Sequence, residues 1–113
     1  MTSELRAFFE SMSADPAACF ADVFLAGDAS GIKPVTRQAF LAALPRRAEA
    51  LARAGLTSPT LSDLSFDALD EHFVLARTTW DAGAAQLVSS YLLHRDPGGA
   101  LRVVVYLNHQ GFA

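Results

Sequence analysis

The spacing of apolar residues along the chain changes period near its middle. Leu5, Phe8, Phe9 and Met12 stand at i, i+3, i+4 and i+7, one face of an amphipathic helix with Ser3 available as N-cap. Asp15-Pro16 offers a capping carboxylate followed by proline at a first helical position, and Phe20, Val23 and Phe24 continue the stripe, which predicts a second, short helix. Gly27, Gly31 and Pro34 interrupt it, so 26–35 reads as loop with room for one short strand. Thr36 caps a third helix in which Phe40, Leu41, Leu44, Ala48, Leu51 and Ala52 hold helical spacing up to a stop at Gly55, with a kink expected at Pro45. Beyond Gly55 the period becomes two. Strands are predicted near 60–67, 71–80, 86–95 and 101–110, separated by turns at Ala68-Leu69-Asp70, Asp81-Ala82-Gly83 and Asp96-Pro97-Gly98-Gly99. Helices followed by a meander of strands make an α+β domain with the helices on one face of the sheet, and the whole chain, 1–113, reads as one domain.

The strand faces carry more than alternation. Val74, Ala76, Thr78 and Trp80 share one face, with Phe73, Leu75, Arg77 and Thr79 on the other, and neither set is simply polar. The next strand divides into Leu87, Ser89, Tyr91 and Leu93 against Val88, Ser90, Leu92 and His94. The last divides into Val104, Tyr106 and Asn108 against Val103, Val105, Leu107 and His109. A sheet covered by helices on one side normally alternates apolar-in and polar-out, so a second apolar face predicts a cover. The expected cover is a second copy of the chain seated on Leu92, His94, Val103, Val105, Leu107 and His109. Symmetric hairpins put Trp80 opposite Leu87, Thr78 opposite Ser89, Ala76 opposite Tyr91, Tyr91 opposite Tyr106 and Ser89 opposite Asn108. That gathers Thr78, Trp80, Ser89, Tyr91, Tyr106 and Asn108 on one surface. A mostly apolar wall with a few convergent polar groups is the make-up of a small-molecule pocket; the same residues also suit a core whose tyrosine hydroxyls reach its rim.

Composition narrows the classes. The 113 residues are 51% hydrophobic and 19% charged, too apolar for a disordered chain. Nine basic and twelve acidic side chains give a net charge of -3, which disfavours nucleic acid as partner. No apolar run approaches the roughly twenty residues of a bilayer-spanning helix, so no membrane partner is expected. The start, Met1-Thr2-Ser3-Glu4, lacks the basic and apolar stretches of a secretory signal, and the expected compartment is the cytoplasm. The single Cys19 forms no internal bridge and reads as a buried thiol. His72, His94 and His109 lack a second ligand at metal spacing, and no metal or cofactor is expected. Arg46, Arg47 and Arg53 suit the negative end of the third helix as a solvated face, an anionic ligand being the sharper alternative.

The order of elements, the stretch Phe24-Leu25-Ala26-Gly27-Asp28-Ala29-Ser30 and the strand endings Trp80 and Tyr106-Leu107-Asn108-His109-Gln110 resemble the nuclear transport factor 2-like superfamily, especially its SnoaL-like branch. The resemblance implies a cystatin-like α+β roll: three N-terminal helices in the concave face of a curved, mainly antiparallel sheet, a pocket between them and a dimer through the sheet. It also aligns the chain with the ketosteroid isomerases from about His72 to His109. On that alignment the position of their general-base aspartate falls on or beside Lys33, and that of their oxyanion-binding tyrosine near Phe8 or Phe9. The position of their partner aspartic acid falls on Tyr91, a phenol still able to donate a hydrogen bond. The base of that family is therefore missing, and Tyr91 and Asp28 are left as catalytic candidates. Asp28 also suits a turn. The expected function is binding of a small, largely apolar or aromatic molecule by Phe9, Met12, Phe20, Phe24, Thr78, Trp80, Ser89, Tyr91, Tyr106 and Asn108, with isomerase-, cyclase- or dehydratase-type turnover as its extension. The alternative is a non-catalytic dimeric interaction or assembly module.

Overall fold

The computed structural model describes residues 1–109. The chain runs α1 (Thr2–Ser11), a single 3₁₀ turn (Pro16–Ala18), β1 (Phe20–Asp28), β2 (Gly31–Thr36), α2 (Arg37–Arg53), β3 (Thr60–Ala68), β4 (Phe73–Asp81), β5 (Gln86–Arg95) and β6 (Leu101–Asn108). The strands form one sheet in the order β2-β1-β6-β5-β4-β3. Only the β1–β6 pairing is parallel. The last two residues of the predicted 101–110 strand are His109, which follows β6, and Gln110, which lies outside the described residues.

Two α-helices stand where three were expected. The predicted second helix shrinks to the 3₁₀ turn, and the residues of its stripe start β1. Phe20 and Phe24 are four apart, a spacing that puts two side chains on one face of a helix and equally on one face of a strand. The third member separates the two, because Val23 is 58% exposed while Phe20 and Phe24 are buried. Parallel pairing with β6 and antiparallel pairing with β2 settle the period. The stretch read as loop is therefore a hairpin. Asp28 lies opposite Gly31 across the turn, the Asp28 carboxylate accepts from the Ser30 amide (2.8 Å), and Gly31 takes a φ of 136° that other residues rarely adopt.

The long helix follows its sequence signals. Thr36 Oγ1 accepts from the Ala39 amide at 3.1 Å. At the far end Gly55, with φ 77°, and Leu56 donate to the Ala52 and Leu51 carbonyls (3.0 and 2.9 Å), closing a Schellman cap. The helix continues through Pro45, which is exposed, so its ring and missing donor sit on the solvent side. Arg37 ties the N-terminal turn to β1, pairing with Asp22 at 2.8 Å and donating to the Phe20 carbonyl at 3.3 Å.

The hairpin registers are those derived from the sequence: Trp80 opposite Leu87, Thr78 opposite Ser89, Ala76 opposite Tyr91, Tyr91 opposite Tyr106 and Ser89 opposite Asn108. One strand departs from simple alternation. Leu92 pairs with Val105 but Leu93 with Val103, so Val104 is an extra, bulged residue. Past the bulge the side chains exchange faces. Val103, placed by alternation on the outer face, is instead 0% exposed and packed in the core with Leu101 and Leu93. Tyr106 and Asn108 face the same way from the other side of the bulge. α1 lies over this inner face through Leu5 and Phe9, and Arg95 holds its first turn by donating twice to Glu4, at 2.8 and 2.9 Å. That bond holds the Glu4 carboxyl below its usual range.

Candidate cleft between the long helix and the sheet

Two clefts open between α2 and the inner face of the sheet. The mainly apolar one, of about 380 Å3, is walled by Met12, Phe20, Leu51, Trp80, Leu87 and Tyr91, with Ser89 among its polar residues. The other, of about 620 Å3, lies toward the β1–β2 hairpin and is lined by Asp28, Lys33, Val35, Arg46 and Asn108 among others. Phe40, Leu44, Arg47 and Tyr106 line both and form the partition between them.

The helical contribution comes from one stripe. Phe40, Leu44, Arg47 and Leu51 stand at i, i+4, i+7 and i+11 and so face the same way. The arginine interrupts an otherwise apolar row. It is half-buried, donates a hydrogen bond to the Tyr106 hydroxyl, and places its guanidinium carbon 5.4 Å from the Tyr106 ring centroid. Tyr106 stacks on Tyr91 (5.2 Å, 22°) and meets Phe40 edge-on (6.2 Å, 75°).

The predicted polar surface forms a closed network at the floor. Trp80 Nε1 donates to Thr78 Oγ1 at 2.7 Å, and Thr78 Oγ1 donates to the Ser89 carbonyl at 3.2 Å. The Tyr91 hydroxyl lies beside the Ser89 and Thr78 side chains. Burial, reinforced by the neighbouring Tyr106, pushes the Tyr91 hydroxyl well above the ordinary tyrosine range, so it is a hydrogen-bond donor and not a base at neutral pH. Thr78→Val keeps the shape but strands the buried indole N–H. The expected loss is about 2–3 kcal/mol in chemical denaturation, against about 1 kcal/mol for Thr78→Ser, which keeps the hydroxyl and loses a methyl.

Met12, Phe20, Trp80, Ser89, Tyr91 and Tyr106 line the apolar cleft, and Asn108 with Tyr106 lines the other. Phe9, Phe24 and Thr78 line neither. Phe9 packs behind Tyr91 (5.0 Å between ring centroids), Phe24 against Phe20 and Phe40 (4.8 and 5.3 Å), and Thr78 is fully buried. Asp28 does reach the hairpin-side cleft, but the Ser30 hydroxyl and amide hold its carboxyl below the usual range, which makes it a weak base. Lys33 lies on β2 opposite Ala26. The pocket set read from the sequence left out Phe40, Leu44 and Leu51, which it placed only on the helix stripe, and Arg47, which it read as part of a solvated face with an anionic ligand as the alternative. Their signal was present as a stripe in which Arg47 occupies an apolar position.

The other candidates have structural employment. Cys19 is buried, its thiol pushed up by that burial and close to Ser11 Oγ at 3.7 Å. His94 packs at a tilt against Phe73 (5.0 Å, 48°), and His109 Nε2 bonds Ser90 Oγ (2.9 Å). Among the described residues no three or more His, Cys, Asp or Glu side chains cluster at metal-binding spacing, and no helix is long and apolar enough to cross a membrane.

No family model and no curated protein matches the chain. Solved structures do. A domain of unknown function with a cystatin-like fold from Nostoc punctiforme superposes with a TM-score of 0.62 at 15% identity, covering 99% of this chain and 78% of that one. A conserved protein from Planctomyces limnophilus superposes with a TM-score of 0.56 at 15% identity, covering 96% and 90%. The chain thus has a cystatin-like α+β fold, the same cone-shaped roll as the nuclear transport factor 2-like fold.

Proposed function

We propose that this protein is a nuclear transport factor 2-like domain that binds a small, largely apolar molecule between α2 and the concave face of the sheet. One observation carries the reading. Aromatic and apolar walls from α2, β4 and β5 surround a cleft of about 380 Å3 onto which Tyr106, Tyr91 and Ser89 converge, within the size and make-up of small-molecule sites. Neither catalytic candidate supplies a base. The Tyr91 hydroxyl stays protonated at the floor, and Asp28 is a held carboxylate at the hairpin tip. Isomerase-, cyclase- or dehydratase-type turnover would require another group to take the proton, so the reading stops at binding. Trp80, the one tryptophan of the chain, stands in the wall and reports occupancy. Titration with steroid-like, polyketide-like and fused-aromatic compounds is expected to shift its emission and raise the melting midpoint for at least one class. If no class moves either signal, the cleft is not a binding site.

A second reading concerns the outer face of the same sheet. Pro34, Leu25, Val105, Leu92 and Leu75 are cross-strand neighbours in a single row over five strands. Leu75 in that row is 45% exposed. This row supports a homodimer through the sheet, with Leu92, His94, Val105, Leu107 and His109 as the contributing side chains of the expected set; Val103 drops out because it faces the core. Sedimentation equilibrium is expected to give a dimer for the native chain and a monomer for Leu92→Asp.

A further inference from the structure

We infer that the ligand is an acid: an apolar or aromatic body that lies in the cleft beside Trp80 and carries one anionic group, of carboxylate type, that docks on Arg47. The inference rests on the binding reading above and adds the ligand's charge and its orientation.

Arg47 occupies an apolar position of the α2 stripe and stands where the two clefts meet, lining both. Among the described residues its guanidinium has one hydrogen bond, to the neutral phenol of Tyr106, and no carboxylate within ion-pairing distance. The other arginines that reach toward the body of the fold, Arg37, Arg95 and Arg102, each hold an acidic side chain at 2.6–2.8 Å. A guanidinium presents five N–H donors in a rigid fork matched to a carboxylate. At Arg47 the donors not used by Tyr106 meet no protein acceptor among the described residues. A half-buried cation beside apolar walls interacts with an opposite charge more strongly than one in open water.

The surroundings are positive on balance. Lys33 and Arg46 line the hairpin-side cleft and make no ion pair among the described residues. The opposing charge in that cleft is Asp28, whose Oδ1 accepts from the Ser30 amide and hydroxyl at 2.8 and 2.5 Å; one carboxylate against Lys33 and Arg46 leaves the cleft positive. Asn108, on the same cleft, adds an amide at its wall. The other cleft has no charged side chain in its lining besides Arg47, with Met12, Phe20, Leu51 and Leu87 around Trp80. Two chemically different compartments joined at one arginine fit a molecule with two chemically different ends.

The test uses three probes that share one tail: 6-phenylhexanoate, 6-phenylhexanol and 6-phenylhexylammonium, titrated into the native protein while following Trp80 emission. The acid is expected to bind about tenfold more tightly than the alcohol, with the ammonium weakest, and raised salt is expected to narrow that gap. Arg47→Met, which keeps the aliphatic stem, is expected to bring acid and alcohol to equal affinity. Equal affinities in the native protein, or a preference for the ammonium, overturn the acid and leave the apolar cleft standing. Failure of all three probes to move Trp80 emission removes the cleft itself. A preference for the acid that survives in a folded Arg47→Met protein overturns the assignment to Arg47. The comparison on the native protein decides the ligand's charge even if the variant does not fold.

Discussion

Val103→Asp is expected to abolish cooperative folding, while Leu92→Asp, on an adjacent strand, is expected to leave the far-ultraviolet dichroism native and to change the melting midpoint by only a few degrees. Simple alternation along β5 and β6 puts both residues on the same outer face, so the pair separates that register from the bulged one. With Val104 bulged, Val103 is 0% exposed, faces Leu93 and Phe20 across two strand pairings, and belongs to the core cluster. A carboxylate there has no cationic partner, and the cost of burying it, several kcal/mol even after relaxation, competes with a total stability of about 5–15 kcal/mol. Leu92 is only half-buried beside Leu75 and Val105, so an aspartate there stays hydrated. Circular dichroism and urea titration of the two variants check the result. A folded Val103→Asp protein that is merely monomeric would show that β6 runs without its bulge.

Phe9→Ala is expected to cost about 3–5 kcal/mol, and with it a drop in melting midpoint of roughly 10–20 °C, by differential scanning calorimetry. Phe9 is fully buried on α1, edge-on to Phe8 (5.2 Å) and tilted against Tyr91 (5.0 Å). The helix is only ten residues long, too short to persist without its apolar face. Leu5 and Phe9 are its two buried anchors, and the Glu4–Arg95 pair is exposed enough to add little. Truncation empties a ring-sized volume directly behind Tyr91. Because Phe9 does not line either cleft, the expected damage is to stability and not to a contact with ligand. A loss below about 1 kcal/mol would mean that α1 contributes little to the core.

The two halves of the chain were unequally legible. From Gly55 onward each strand was readable because turn residues and period-two alternation agree, and the β4–β5 and β5–β6 registers followed from symmetric hairpins. Thr36 and Gly55 bounded the long helix correctly, since a cap is a local device whose hydrogen bonds close within a few residues. The stretch from Phe20 to Thr36 was read as helix and loop. Phe20 and Phe24 fit either period, and the partner that decides between them, β6, lies about eighty residues later in the chain. The site divided in the same way. Its sheet side was visible as polar and aromatic residues in matching positions. Its helix side was not, because knowing that Arg47 faces the sheet requires knowing how α2 lies across it.

Sequence alone determined the class of fold, the caps and turns, the meander and the face on which Thr78, Ser89, Tyr91, Tyr106 and Asn108 meet, since each of these follows from neighbours in the chain or from the alternation of one strand. Tertiary structure decided the parallel β1–β6 pairing, the Val104 bulge that turns Val103 inward, and the placing of Arg47 between two clefts. These depend on contacts between segments far apart in sequence, where local preferences are nearly balanced and packing settles the outcome.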